Sequence, residues 1–243
     1  MKLAILVSIV FAFASADSSI CVTRTFQYCQ QVFGESLNVS QGSDLWNNPA
    51  TFNYIIQSYY KKGVDGLLAV CQARQQFYTC LGDAYDMCIS VNNFISNGKT
   101  PSDAKSFVGN LRVLEFDCDG GFIQSSKHFD CINLATQTKI TDLSNCWTSY
   151  QNDLKNLVPS CNAATTMVNC LSSVYQNVCG SETSWWECER TRLGQLLDQT
   201  CPAISCQLGA PSQLSGTRAS RVAQVFNHQP DISRVIKSLV NKN

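Results

Sequence analysis

Histidine is nearly missing from this sequence: His128 and His228 are the only two among 243 residues. General acid–base catalysis at neutral pH most often uses that side chain, so its scarcity weighs against a hydrolase built on it. His128 lies in Lys127-His128-Phe129-Asp130-Cys131, where a helix would turn the adjacent Asp130 away from the ring. No Gly-x-Ser-x-Gly elbow and no His-Glu-x-x-His accompanies it. The residues therefore name no catalytic group, no metal centre and no cofactor, and His128 reads as a surface or half-buried side chain. A net charge is missing too, with 18 basic and 18 acidic residues. Residues 17–206 carry 12 basic against 17 acidic side chains, and a mildly acidic body is a poor partner for nucleic acid. Beyond residue 16 no apolar run reaches the roughly 18 residues of a membrane span. There is also no convincing period-2 strand and no Asn-Gly hairpin between alternating runs, which argues against a sheet-based fold.

Cysteine, by contrast, is plentiful, at 14 residues. Its meaning depends on the compartment, and the N-terminus supplies one. Lys2, the apolar stretch Leu3–Phe13 and the small-x-small site Ala14-Ser15-Ala16 have the layout of a secretory signal peptide over residues 1–16. In an oxidising compartment an even set of cysteines reads as a disulfide framework. The 44% hydrophobic content of so long a chain also supports a real core, so the bridges supplement that core.

The cysteines form a ladder that occurs twice. Cys71, Cys80 and Cys88 align with Cys161, Cys170 and Cys179, with one residue inserted in the last gap. Between the sulfurs Ala73 meets Ala163, Leu81 meets Leu171 and Tyr85 meets Tyr175, which reads as a repeated structural unit. Residues nine apart on a helix are separated by about 13.5 Å and half a turn, whereas a disulfide needs Cα atoms within about 7 Å. On helices, then, Cys71 cannot bond Cys80, nor Cys161 bond Cys170. Each ladder rod is tied on opposite faces to different neighbours, in a connectivity that the sequence leaves open.

Helical spacing dominates the remainder. Phe52, Ile55, Ile56, Tyr59 and Tyr60 make one stripe, and Val64, Leu67, Leu68, Cys71 and Gln75/Tyr78 continue it after Gly63. Thr100-Pro101 opens a helix bearing Ala104, Phe107, Val108, Leu111 and Leu114. A third stripe runs from Leu143 to Leu157 and closes at Pro159, and a fourth from Ala164 to Val178 stops at Gly180. Ser184 with Glu187 has the spacing of a capping box leading into Cys188, Leu196 and Leu197. The fold class is all-α: a disulfide-stapled protein built from two related, packed cysteine-rich helical units. The first, 17–120, holds Cys21, Cys29, Cys71, Cys80, Cys88 and Cys118. The second, 121–206, holds Cys131, Cys146, Cys161, Cys170, Cys179, Cys188, Cys201 and Cys206.

Four further features bear on function. Glu115, Asp117 and Asp119 cluster near a helix end, without the Asp-x-Asp-x-Asp-Gly order of a calcium loop, and read as a solvated turn. Tyr59, Tyr60, Trp147, Tyr150, Trp185 and Trp186 either fill the core or line a cavity for an apolar ligand. Asn38-Val39-Ser40 is an N-glycosylation sequon in a polar loop. The tail, 207–243, lacks cysteine and is basic, with Ile232, Val235, Ile236, Leu239 and Val240 on one helical face. A basic amphipathic segment docks on a membrane surface or in a partner groove. Arg218 and Arg221 form an Arg-x-x-Arg processing pattern before it, so residues 222–243 are either released by cleavage or remain as a docked or loose C-terminus.

The motifs Gln76–Gly82, Leu114–Cys118, Cys170–Tyr175 with Cys179-Gly180, and Trp186-Glu187-Cys188 resemble, in spacing and texture, the secreted cysteine-rich helical domains expanded in nematodes. That group includes domains of unknown function and the domain type of chondroitin proteoglycan 4. The likeness covers residues 26–206. It implies an extracellular, non-enzymatic helical module and carries over no catalytic residue. Ser215-Gly216, the sole Ser-Gly pair, has no acid beside it, so glycosaminoglycan attachment is not among its implications. The expected function is a secreted interaction or structural protein with an extracellular protein partner. The alternative is a carrier of a small apolar, lipid-like ligand between the stapled helices.

Overall fold

Helix boundaries follow local chemistry at the places where a cap is available. In the computed structural model, which describes residues 20–207, Asn48 accepts a hydrogen bond from the Thr51 amide and Pro49 occupies the first helical position. Thr100 does the same for the Asp103 amide, followed by Pro101. The helices are α1 (Thr23–Ser36), α2 (Pro49–Tyr60), α3 (Val64–Leu81), α4 (Tyr85–Cys88), α5 (Val91–Ser96) and α6 (Pro101–Cys118). After them come α7 (Phe122–Lys127), α8 (Phe129–Thr138), α9 (Ile140–Lys155), α10 (Ser160–Cys179), α11 (Ser181–Gly194) and α12 (Leu197–Thr200). No strand occurs among the described residues, and the all-α, disulfide-stapled class holds.

Four local expectations are corrected. Ser184 is no cap: α11 begins at Ser181 after Gly180, and Ser184 sits inside it with its hydroxyl turned to Gln176. The stripe from Trp185 does not run through to Leu197, because Leu196 adopts a left-handed conformation (φ 53°) that separates α11 from α12. The first ladder is not one rod. Gly82, at φ 54°, ends α3, and the 3-10 turn Gly82–Ala84 leads into short α4. The second ladder lies wholly within α10. The buried face of α3 also differs from the stripe read in the sequence: Phe77 and Arg74 are buried, while Gln75 and Tyr78 are exposed.

All fourteen cysteines are bonded. Cys21–Cys88, Cys29–Cys80 and Cys71–Cys118 staple α1, α3, α4 and α6. Cys131–Cys179, Cys146–Cys170 and Cys161–Cys201 tie α10 to α8, α9 and the segment after α12, and Cys188–Cys206 pins the end of the body to α11. Sequence-matched cysteines therefore pair in the same order. The first ladder cysteine bonds forward, to the last residue of α6 in one set and to a cysteine beyond α11 and α12 in the other. The second and third bond backward, nested one inside the other. No bridge joins a cysteine up to Cys118 with one from Cys131 onward.

The two stapled sets pack as one compact unit that extends to Cys206. An aromatic core fills the first: Phe33 stacks on Phe52, and Trp46 lies against Phe77, Phe94 and Phe107. A second cluster centres on Met167, Val168 and Leu171 of α10. Between them Phe116 of α6 joins Ile132, Ala135, Tyr175 and Trp186, and Tyr60 meets Phe129 edge to face. Helices α6 and α11 cross at glycines, where a Cβ on Gly109 would lie 2.1 Å from the Gly194 carbonyl oxygen. That crossing positions the site described next.

Candidate functional site

Where α2, α6 and α11 meet, charge is buried. Asp117 on α6 is 1% exposed, accepts from the Tyr60 hydroxyl at 3.1 Å and faces the Arg190 guanidinium at 3.4 Å. The expected solvated turn is thus overturned. One turn of helix sends Asp117 inward, while Glu115 and Asp119 both grip Arg74, itself buried, at 3.4 and 2.8 Å. The cluster is arranged around arginines, with carboxylates on two faces of the same helix end. Burial drives the Asp117 carboxyl above its usual range despite Arg190 and the Tyr60 hydroxyl, and it drives the Tyr60 phenol well up, with Asp117 adding to it. Burial opposes the charge of Arg190, but Asp117 and Glu187 more than offset that and hold it protonated. Asp117 Oδ1 and the Trp186 indole nitrogen lack a well-formed hydrogen bond, although the indole is close enough to favour the carboxylate's charge.

Next to this seam a cavity of about 280 Å³ opens between α2, α6, α9, α10 and α11, just under the usual range for small-ligand sites, roughly 300–1,000 Å³. Phe52, Ile56, Tyr60, Trp147, Leu171 and Tyr175 provide its apolar wall. Asn53, Gln57, Asn110 and Gln195 add amides, and Glu187, Arg190 and Thr191 present one polar face of α11. Glu187 is 6% exposed. Its Oε1 accepts from Thr191 at 2.9 Å, and its Oε2 is buried without a hydrogen-bond partner. Burial raises the Glu187 carboxyl, with Arg190 opposing, and lifts the Tyr175 phenol to about 12, with Glu187 adding to it.

Of the six aromatics picked out in the sequence, only Tyr60 and Trp147 line this cavity. Tyr150 packs edge-on against Trp147, Trp185 against Phe116 and Trp186 against Tyr175, while Tyr59 holds Asn38 through its hydroxyl. Sequence reasoning missed Glu187, Arg190 and Thr191 as site residues. Their i, i+3, i+4 spacing puts them on one helix face, but nothing in the sequence marks that face as buried. His128 Nε2 lies 3.2 Å from Glu182, which Lys127 also contacts, and so ties the α7–α8 junction to the start of α11. Asn38 is exposed. The expected signal segment 1–16, the Arg218/Arg221 pattern and the 222–243 tail fall outside the described residues.

The raised carboxyls set a pH dependence. Asp117, Asp119 and Glu187 bind protons more tightly folded than unfolded, so the native chain holds extra protons from the ordinary 3.8 and 4.5 upward. The stability they contribute is complete below those values and is lost as pH rises through the folded ones. Exposed Glu182, lowered by hydrogen bonds from Lys127 and His128, has the opposite and weaker effect. Scanning calorimetry of the disulfide-intact protein is expected to give a higher midpoint near pH 4.5 than near pH 7.5. Glu187→Gln is expected to flatten that difference.

No protein-family model, curated protein or solved structure matches the chain.

Proposed function

We propose that this chain is a secreted, non-enzymatic extracellular protein that works by binding or structural assembly, built from a duplicated cysteine-rich helical unit like those of the nematode secreted domains. One observation carries the reading: all fourteen cysteines are consumed in seven bridges, six of which repeat one order in the two halves, with Cys188–Cys206 added in the second. Such a framework forms and persists in oxidising compartments. It holds helices that present a fixed outer surface, as a binding module requires. No helix among the described residues is long and apolar enough to cross a membrane, and exposed Asn38 leaves room for a glycan. Material taken from its own secretory source tests this. Intact mass is expected to give a chain beginning at Asp17, lacking two hydrogens per bridge and losing mass on removal of a glycan from Asn38; native sizing is expected to show it bound to a protein partner. Reduced thiols, or a lone chain under native conditions, contradict the reading.

The cavity beside α11 favours a second reading, a carrier of a small ligand. Its apolar wall suits such cargo, and native mass spectrometry of the same material would reveal a co-purifying small molecule.

A further inference from the structure

The carrier reading supplies a cleft but no ligand chemistry, and the cleft's own charges narrow the choice. Three charged side chains meet at the α6–α11 seam: Asp117 and Glu187 are buried, and Arg190 is a quarter exposed. Two are carboxylates and one is a guanidinium. Arg190 directs its Nε at Asp117 and lays its guanidinium 5.2 Å over the Trp186 ring. Glu187, the carboxylate that lines the cleft, has only the Thr191 hydroxyl on Oε1 and nothing on Oε2. A buried acceptor left without a donor costs about 1–3 kcal/mol, more when charged, and native structures retain few such groups. An apolar ligand would leave Glu187 as it is. A fatty acid would bring a second anion against it. Arg190 also lines the cleft and favours the Glu187 charge, but its Nε is committed to Asp117, so a cation brings the missing donor together with a positive charge of its own.

We propose that this cleft binds a small organic cation, an ammonium group carried on an apolar body. Glu187 is the counter-charge. Tyr60, Trp147 and Tyr175 bring aromatic rings to the same space, and such rings attract ammonium groups as well as apolar surface. The amides of Asn53 and Gln195 bind polar substituents. The volume of about 280 Å³ suits an amine of one ring or a short chain and is too small for a diacyl lipid.

This inference rests on the carrier reading, and one experiment separates the two. Isothermal titration of the full, disulfide-intact chain uses three probes of similar size: 2-phenylethylamine, 2-phenylethanol and 3-phenylpropionate. The amine is expected to bind at least tenfold more tightly than either of the others. Asn53→Trp, an exposed position at the cleft, is expected to abolish binding without touching the buried charges. Glu187→Gln is expected to weaken the amine at least tenfold and leave the alcohol unchanged. Should Glu187→Gln not fold, the probe comparison and Asn53→Trp still decide. Equal affinity for alcohol or carboxylate overturns the cation inference and leaves the carrier reading standing. Amine binding indifferent to Asn53→Trp overturns the assignment to this cleft. No binding of any probe overturns both.

Discussion

Gly109→Val is expected to destabilise the protein by about 3 kcal/mol or more, the upper end for overpacking a tight contact. The cause is steric and local. At the α6–α11 crossing even a methyl would sit 2.1 Å from the Gly194 carbonyl oxygen, and a Cβ on Gly194 would in turn meet the Val113 side chain at 2.6 Å. Backbone, not a flexible side-chain end, has to move. Because no disulfide joins the two stapled sets, they separate at this seam when it is forced apart, while each retains its own bridges. Gly120→Ala is the matched control, since its Cβ meets only the Phe116 ring at an ordinary 3.6 Å. Urea titration with the bridges intact is expected to move the midpoint for the first variant and leave the second near wild type. Equal midpoints would mean that the two helices do not cross this closely.

Asp117→Ala is expected to cost about 3–5 kcal/mol, the range for breaking a buried ion pair from one side. It takes from the Arg190 guanidinium and the Tyr60 hydroxyl the Oδ2 that they share as acceptor. Exposed Asp130 provides the comparison, and its alanine variant is expected to stay within about 0.5 kcal/mol of wild type. The pair Asp117→Leu with Arg190→Met is expected to recover much of the loss, because removing both charges removes the desolvation penalty with them. If the double variant is as unstable as the sum of the singles, the charges do not act on each other.

The helices were legible where sequence periodicity and a cap agreed, as at Thr100-Pro101, since both signals arise within a few residues of chain. The ban on Cys71–Cys80 and Cys161–Cys170 was legible for the same reason, because it follows from helix pitch. Ser184 misled because capping chemistry and mid-helix hydroxyl chemistry use the same residue, and only the position of Gly180 separates them. The site was largely illegible. Asp117 stands in an acidic run that looks solvated, and what turns it inward is Tyr60, 57 residues earlier, and Arg190, 73 residues later. Glu187 offers no hint of burial until α11 lies against α6. Long-range partners that convert a surface charge into a buried one leave no periodic trace.

Disulfide mapping of the native, non-reduced protein tests the paired-staple architecture most directly. The fold predicts Cys21–Cys88, Cys29–Cys80 and Cys71–Cys118 in one set. It predicts Cys131–Cys179, Cys146–Cys170, Cys161–Cys201 and Cys188–Cys206 in the other. A bridge between Cys71 and Cys80, one between Cys161 and Cys170, or any linking a cysteine up to Cys118 with one from Cys131 onward would contradict it.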